Sequence, residues 1–202
     1  MKKILKDTLA LFLITLVAGL LLGIVYKITK DPIEKENEKA KLEAYRSVFA
    51  ELEKTEAVED SLIASAQSEI DKEYKAVTLN EAVKAFDTTG NYLGLIITVT
   101  DGNGYGGNIK MTVGIDKSGT ITGLEFLELS ETAGLGMKAK EDTFKSQFAG
   151  INADRIEFVK GGKSSDNQID AISSATITTT AVTDGVNGAL TAYRALGGEA
   201  DE

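Results

Sequence analysis

The stretch TLALFLITLVAGLLLGIVY, Thr8 to Tyr26, runs for 19 residues without a charge. At ~1.5 Å rise per residue it makes a helix of roughly 28 Å, the thickness of a bilayer core. A chain built this way either keeps the segment as an anchor or loses it as a signal peptide. The run exceeds a signal h-region, no small-x-small pattern precedes Lys27, and no lipobox cysteine exists. A retained single-pass anchor is expected. Lys2, Lys3 and Lys6 before the span are matched by Lys27, Lys30 and Lys35 after it, so the positive-inside count sets no orientation. Gly19 and Gly23 form a GxxxG pair that lets another membrane helix approach closely.

The remainder has room for one ordinary domain with a helical spacer. A net charge of -9, from 22 basic and 31 acidic residues, excludes nucleic acid as a partner. The chain has neither cysteine nor histidine. This removes Cys/His zinc sites, thiolate iron–sulfur clusters, histidine-ligated haem, cysteine nucleophiles and histidine bases. No metal ligands and no catalytic residue stand out. Any redox work has to reside on an organic cofactor.

Asp31-Pro32 reads as a helix start, with Asp31 as N-cap and Pro32 at the first helical position. Leu42, Tyr45, Phe49 and Leu52 follow at helical spacing in a Glu/Lys-rich context, which predicts a stalk or packing helix. Lys54 to Lys72 reads as a loop or weak helix. From Tyr92, the segments YLGLIITVT, NIKMTVGID and TITGLEFLEL are strands separated by DGNGYGG and KSG turns. EDTFKSQFAG suits a short helix, RIEFV a short strand, and Val182, Val186, Leu190 and Tyr193 one face of a closing helix. The fold class is α+β: an N-terminal transmembrane helix and a helical spacer, then a domain with an antiparallel sheet and flanking helices. The expected divisions are an anchor over 1–30, a spacer over 31–75 and the domain over 76–202.

Gly102, Gly104 and Gly107 match G-x-G-x-x-G but lead into a strand, so a hairpin is expected instead of a dinucleotide turn. Tyr105 and Thr112 stand where a calcium loop needs ligands, and calcium is discounted. SETAGLG, Ser130 to Gly136, reads as a turn with a capping glutamate, or as a loop whose glycines let backbone approach a flat ligand. DAISSATITTTAV, from Asp170, holds the densest set of hydroxyls and allows three readings. Ser173, Ser174 or Thr176 caps the closing helix. Alternatively, a helix beginning within Thr178 to Ala181 cradles a phosphate beside Thr176. In the third reading the Thr176 hydroxyl is itself esterified to a phosphate.

DAISSATITTTAV resembles the flavinylation motif of FMN-binding domains, Asp-x-x-Ser/Thr-Gly-Ala-Thr-x-Thr, whose Gly-Ala-Thr threonine carries FMN through a phosphoester bond. Asp170, Ser173, Ala175 and Thr176 take the motif positions, and Ser174 replaces the usual glycine. GYGGNIKMTVGIDKSGTITGLEFLELSETAGLG is similar to the family's strand–turn–strand stretch and its ETPGLG-like loop, with Ala133 in place of proline. Anchor, spacer and domain together resemble the G subunits of Rnf-type electron-transport complexes, over most of Tyr92 to Leu196 plus the anchor.

The resemblance implies FMN attached to Thr176 by a separate flavin transferase that uses FAD. It implies that Asp170 helps present the segment, and that Ser173, Ser174 and Ala175 belong to the attachment turn. Glu131, Thr132 and Leu135 would contact the flavin ring, and Thr178 and Thr179 would bond the phosphate or cap the helix. It also implies partner membrane and redox subunits, and electron transfer between ferredoxin and NAD coupled to sodium or proton translocation. The domain would lie outside the cytoplasmic membrane. The C subunit of the sodium-translocating NADH:quinone reductase is the nearest alternative. A membrane-anchored scaffold without cofactor is the alternative of another class.

Overall fold

The computed structural model describes residues 2–197, with Lys2 described by its backbone alone; the last residues of the expected domain, 198–202, lie outside the described residues. The chain divides into two compact units, 1–41 and 42–202. The first is the greater part of helix α1, Lys2–Val48, which contains the apolar run. An 18-residue window within it is long and apolar enough to cross a membrane, and none of that window is buried. Thr8, Thr15 and Thr29 turn their hydroxyls onto carbonyls one turn back, at 2.9 to 3.0 Å for the shortest bond of each. Their polarity is therefore satisfied inside the helix, as an apolar solvent requires.

Asp31-Pro32 does not start a helix. Pro32 lies inside α1, which continues through it. The ring removes one backbone donor, but Ile33 to Val48 is dominated by strong helix formers, and these carry the helix onward.

The second unit begins at Leu42 and centres on a five-stranded antiparallel sheet of order β1-β2-β3-β4-β5. Its strands are β1 Lys54–Ala57, β2 Val77–Phe86, β3 Tyr92–Gly104, β4 Gly107–Asp116 and β5 Ile121–Glu128. Helix α2, Asp60–Ile70, separates β1 from β2. Residues 42–75, assigned to the spacer by sequence, thus supply the end of α1, β1 and α2 to the same compact unit as the sheet. After β5 come a 3-10 turn at Gly136–Lys140, the short helix α3 Asp142–Lys145, a parallel pair β6 Glu157–Val159 and β7 Gln168–Asp170, and helix α4 Thr176–Ala195.

Both faces of the sheet are covered, which explains why YLGLIITVT lacks strict alternation. Val182, Val186 and Leu190 of α4 join Val99, Met111 and Val113 in the main core. Each such side chain contributes about 1.5–3 kcal/mol of burial. Against the opposite face, Tyr45, Val48 and Phe49 at the end of α1 meet Val83, Ala85 and Ile96. Gly114 and Gly123 are paired across β4 and β5, and a Cβ at either would lie 2.9 Å and 3.3 Å from Val48 atoms. The glycine pair is the flat seat on which Val48 rests.

Candidate functional site: a cleft at the start of helix α4

Residues 171–175 lead from β7 into α4 through a fixed turn. The Ile172 N–H donates to Thr179 Oγ1 at 3.1 Å, and that hydroxyl donates to the Ala175 carbonyl at 2.9 Å. Closing this loop forces Ser174 to φ 63°, the only positive φ of a non-glycine residue among those described. An L side chain there crowds the following carbonyl, at a cost of about 1 kcal/mol. The resembling motif has glycine at this position, and the backbone shows why.

α4 starts at Thr176, ahead of the Thr178–Ala181 region expected from sequence. Its N-cap residue is Ala175, and no side chain caps it. The reading in which Ser173, Ser174 or Thr176 caps the helix therefore fails. The hydroxyls of the first two turns of the helix divide sharply. Thr178 Oγ1 donates to Glu131 Oε2 at 3.1 Å, while Thr179, Thr180 and Thr183 bond to the carbonyls of Ala175, Thr176 and Thr179. Thr176 is exposed, and its hydroxyl makes no hydrogen bond among the described residues.

Thr176 stands between two cavities. The larger, about 480 Å³, is lined by Tyr105, by Glu131, Thr132, Leu135 and Gly136, and by 174–178. That volume lies within the usual range for small-molecule sites, ~300–1,000 Å³. Its rim exposes Tyr105 at 69%, Ile177 at 53% and Leu135 at 40%. The smaller cavity, about 330 Å³, has Lys160, Gly161, Ser173 and Ser174 in its wall, with Thr176 again at the edge.

Glu131, only 9% exposed, ties the larger cleft together. Its Oε1 accepts the Gly106 N–H at 3.2 Å from the β3–β4 hairpin, and its Oε2 accepts the Thr178 hydroxyl from α4. The approach depends on missing side chains. A Cβ at Gly136 would fall 2.5 Å from Thr178 Oγ1, and one at Gly106 would fall 2.0 Å from the Ser130 carbonyl oxygen.

Of the residues singled out by sequence, Glu131, Thr132, Leu135, Ser174, Ala175, Thr176 and Thr178 meet at this cleft. Ser173 faces the smaller cavity instead. Thr179 is fully buried with its hydroxyl engaged inside the turn, so it is withdrawn as a phosphate contact. Asp170 lines neither cavity. Its Oδ1 accepts the Gly162 N–H at 3.0 Å and its N–H donates to Gln147 Oε1 at 2.7 Å, which fixes the loop ahead of the motif. Sequence reasoning missed Tyr105, Ile177 and Lys160 as wall residues. The signal for Tyr105 was its position as the lone side chain in a run of glycines from Gly104 to Gly107.

The same region carries the likeness to known proteins. Residues 104–191 match the FMN-binding domain, and residues 1–48 match the RnfG N-terminal region. The chain is 33% identical over 197 residues to the G subunit of the Na(+)-translocating ferredoxin:NAD(+) oxidoreductase complex of Acetobacterium woodii, covering 96% of this chain and 94% of that one. It belongs to the family of Rnf-type G subunits. The G subunit of the ion-translocating oxidoreductase complex of Methanosarcina acetivorans is 30% identical over 190 residues, covering 94% of each chain. Among solved structures, the C subunit of the Na(+)-translocating NADH-quinone reductase of Parabacteroides distasonis shares the fold, with a TM-score of 0.59 at 20% identity. The match covers 81% of this chain and 94% of that one.

About 30% identity over nearly the whole chain places it with the G subunits, whereas the C subunit of a Na(+)-translocating NADH-quinone reductase from Vibrio anguillarum matches over 51% of this chain. The cleft also fits FMN chemically. A fused aromatic ring needs apolar walls, and Tyr105, Leu135 and Ile177 present them. A phosphate needs donors or a cation, and Lys160, Ser173 and Ser174 stand on the other side of Thr176.

Proposed function

We propose that this chain is the electron-relay subunit of a membrane-bound ferredoxin:NAD oxidoreductase that translocates sodium or protons, and that FMN is esterified through its phosphate to Thr176. The observation that carries the attachment site is the exposed Thr176 hydroxyl, unbonded among the described residues, between an apolar cleft and a polar cavity. Every other hydroxyl in the first two turns of α4 is already bonded. In the transfer, Thr176 Oγ1 bonds to the phosphorus of the FMN half of FAD, the pyrophosphate bond breaks, and AMP leaves as the hydroxyl gives up its proton. FMN supplies one- or two-electron chemistry when bound. Glu131 and Thr178 hold the cleft wall, and Leu135 and Ile177 shield the ring from water. Tethering keeps the cofactor at high effective concentration where lost flavin is not recaptured.

Other redox and membrane subunits complete the path, a reading supported by relatives that are each named as one subunit of an oxidoreductase complex. α1 is the anchor, residues 1–30 its membrane part, and the sheet domain lies on the extracytoplasmic side. The functional core is the flavin-binding domain over 76–202, to which the end of α1, β1 and α2 contribute packing. The decisive experiment is coexpression with a flavin transferase, followed by intact mass and fluorescence after denaturation. Wild type is expected to gain one FMN less one water, and Thr176→Ala to gain nothing while folding normally. Denaturation-resistant flavin on Thr176→Ala overturns the assignment.

A further inference from the structure

The β3–β4 hairpin ends in a two-residue tip, Tyr105-Gly106, with Gly104 paired to Gly107. The tip is pressed against the segment after β5. The Gly106 N–H donates to Glu131 Oε1, a Cβ at Gly106 would meet the Ser130 carbonyl oxygen at 2.0 Å, and one at Gly104 would meet Glu131 Oε1 at 2.9 Å. Neither Gly104 nor Gly106, on either side of Tyr105, has room for a side chain. Packing and hydrogen bonding beside it thus fix the backbone from which one aromatic ring projects.

That ring is 69% exposed, and among the described residues it makes no hydrogen bond and no aromatic contact. It lines the cleft together with two more exposed apolar side chains, Leu135 and Ile177. The other tyrosines are elsewhere: Tyr26 lies in the apolar helix, Tyr45, Tyr74 and Tyr193 are buried, and Tyr92 is half-buried at the far end of β3. The chain contains no tryptophan. Tyr105 is therefore the one oxidisable aromatic at the cleft.

We infer that Tyr105 is the stacking platform for the flavin, packing its ring on the isoalloxazine of FMN linked to Thr176 and holding the tethered cofactor closed in the cleft. This rests on the Thr176 reading above. A single phosphoester tether leaves many bonds free to rotate, so attachment alone does not orient a ring; stacking on an aromatic face that projects from a clamped hairpin tip does. The contact has an optical consequence. A photoexcited flavin takes one electron from a touching phenol ring, and the electron returns on recombination, so emission is quenched with no net oxidation or reduction.

The test uses the full chain coexpressed with flavin transferase, with attachment confirmed by intact mass. Fluorescence lifetime and visible circular dichroism are then compared for wild type, Tyr105→Phe and Tyr105→Leu. Tyr105→Leu is expected to lengthen the lifetime several-fold and to lose the induced visible dichroism. Tyr105→Phe is expected to lengthen the lifetime, because phenyl is hard to oxidise, yet to keep the dichroism, because it still stacks. Attached flavin whose lifetime and dichroism are unchanged in Tyr105→Leu overturns the platform while leaving Thr176 in place. Wild type without attached flavin overturns the Thr176 reading and this inference together. The exposed position of the ring keeps both variants foldable, which thermal melts check.

Discussion

Thr178 Oγ1 donates a 3.1 Å hydrogen bond to Glu131 Oε2, joining the first turn of α4 to a loop 47 positions earlier in the chain. Both side chains are buried, so the bond replaces water that neither group can reach. Thr178→Val keeps the shape and removes the donor, leaving a nearly buried carboxylate oxygen without its partner. The expected loss is about 1–3 kcal/mol, read as a lower urea midpoint in detergent. Glu131→Gln, which offers an acceptor oxygen to one neighbour only, is expected to lose less. Equal stability of Thr178→Val and wild type would show that the bond carries no weight.

Ser174 gives a prediction of the opposite sign. Its φ of 63° suits glycine, and its hydroxyl is bonded to nothing among the described residues. Ser174→Gly relieves the Cβ strain but enlarges the unfolded ensemble, so the net gain is at most about 1 kcal/mol. Faster flavin loading in a time course by intact mass is expected alongside it, because the turn adopts the attachment geometry more readily. Slower loading would show that the serine hydroxyl itself assists transfer.

The parts of the fold that show in sequence are those where one force dominates. The apolar run in α1, the β-branched strands β3 to β5 and the α4 face of Val182, Val186, Leu190 and Tyr193 all follow from burial or from an apolar solvent, and all four of those α4 side chains are buried. β2 was missed because VTLNEAVKAF mixes strand alternation with helix-forming Ala, Glu and Lys, and its register shifts between Leu79 and Glu81. Pairing to β1 and β3 makes it a strand, and that pairing is tertiary. At the site, Thr176 and Glu131 were legible from the motif and the loop. The freedom of the Thr176 hydroxyl was not, since it depends on where Thr178, Thr179 and Thr180 send theirs. Ile177 and Lys160 had no signature, because an exposed isoleucine and a surface lysine look ordinary until a cavity is seen beside them.

Orientation across the membrane is testable because the chain has no cysteine. Ser165→Cys places a single thiol on an exposed loop of the sheet domain. In intact cells, a membrane-impermeant maleimide is expected to label it, while a cytoplasmic single-cysteine protein in the same cells stays unlabelled. Labelling only after lysis would place the domain inside.

Gly106 tests how tightly the hairpin tip is clamped. A methyl there would lie 2.0 Å from the Ser130 carbonyl oxygen, which is backbone and cannot swing aside. Gly106→Ala is expected to cost about 1–3 kcal/mol through forced backbone movement, and to loosen the Glu131 contact made by the Gly106 N–H. Hydrogen exchange at the tip reads this directly: wild-type protection of Gly106 and faster exchange in its neighbours in the variant.

Asp101 carries a pH signature. It is fully buried near the end of β3; its Oδ1 accepts the Asn103 N–H at 2.6 Å, and its Oδ2 has no partner among the described residues. A cavity of about 430 Å³ beside it brings up Glu73, Tyr74, Lys75 and Asp184. Burial, with a smaller push from the Asp184 carboxylate, raises its pKa above the usual range, against the lowering effect of the Asn103 N–H. The folded state then holds the proton more tightly than the unfolded chain. Stability from this group is present below the unfolded pKa of about 3.9 and is lost as pH rises through the folded value. Asp101→Asn keeps the Oδ1 acceptor and cannot ionise. It is expected to be more stable than wild type at pH 7, since the raised pKa means that ionisation costs the folded state more than the unfolded chain. The advantage should shrink toward zero below about pH 4, where wild-type Asp101 is protonated in both states. Urea melts in detergent at about pH 7 and about pH 3.5, on either side of that range, check the sign. A gap that stays constant would mean that Asp101 does not titrate with folding.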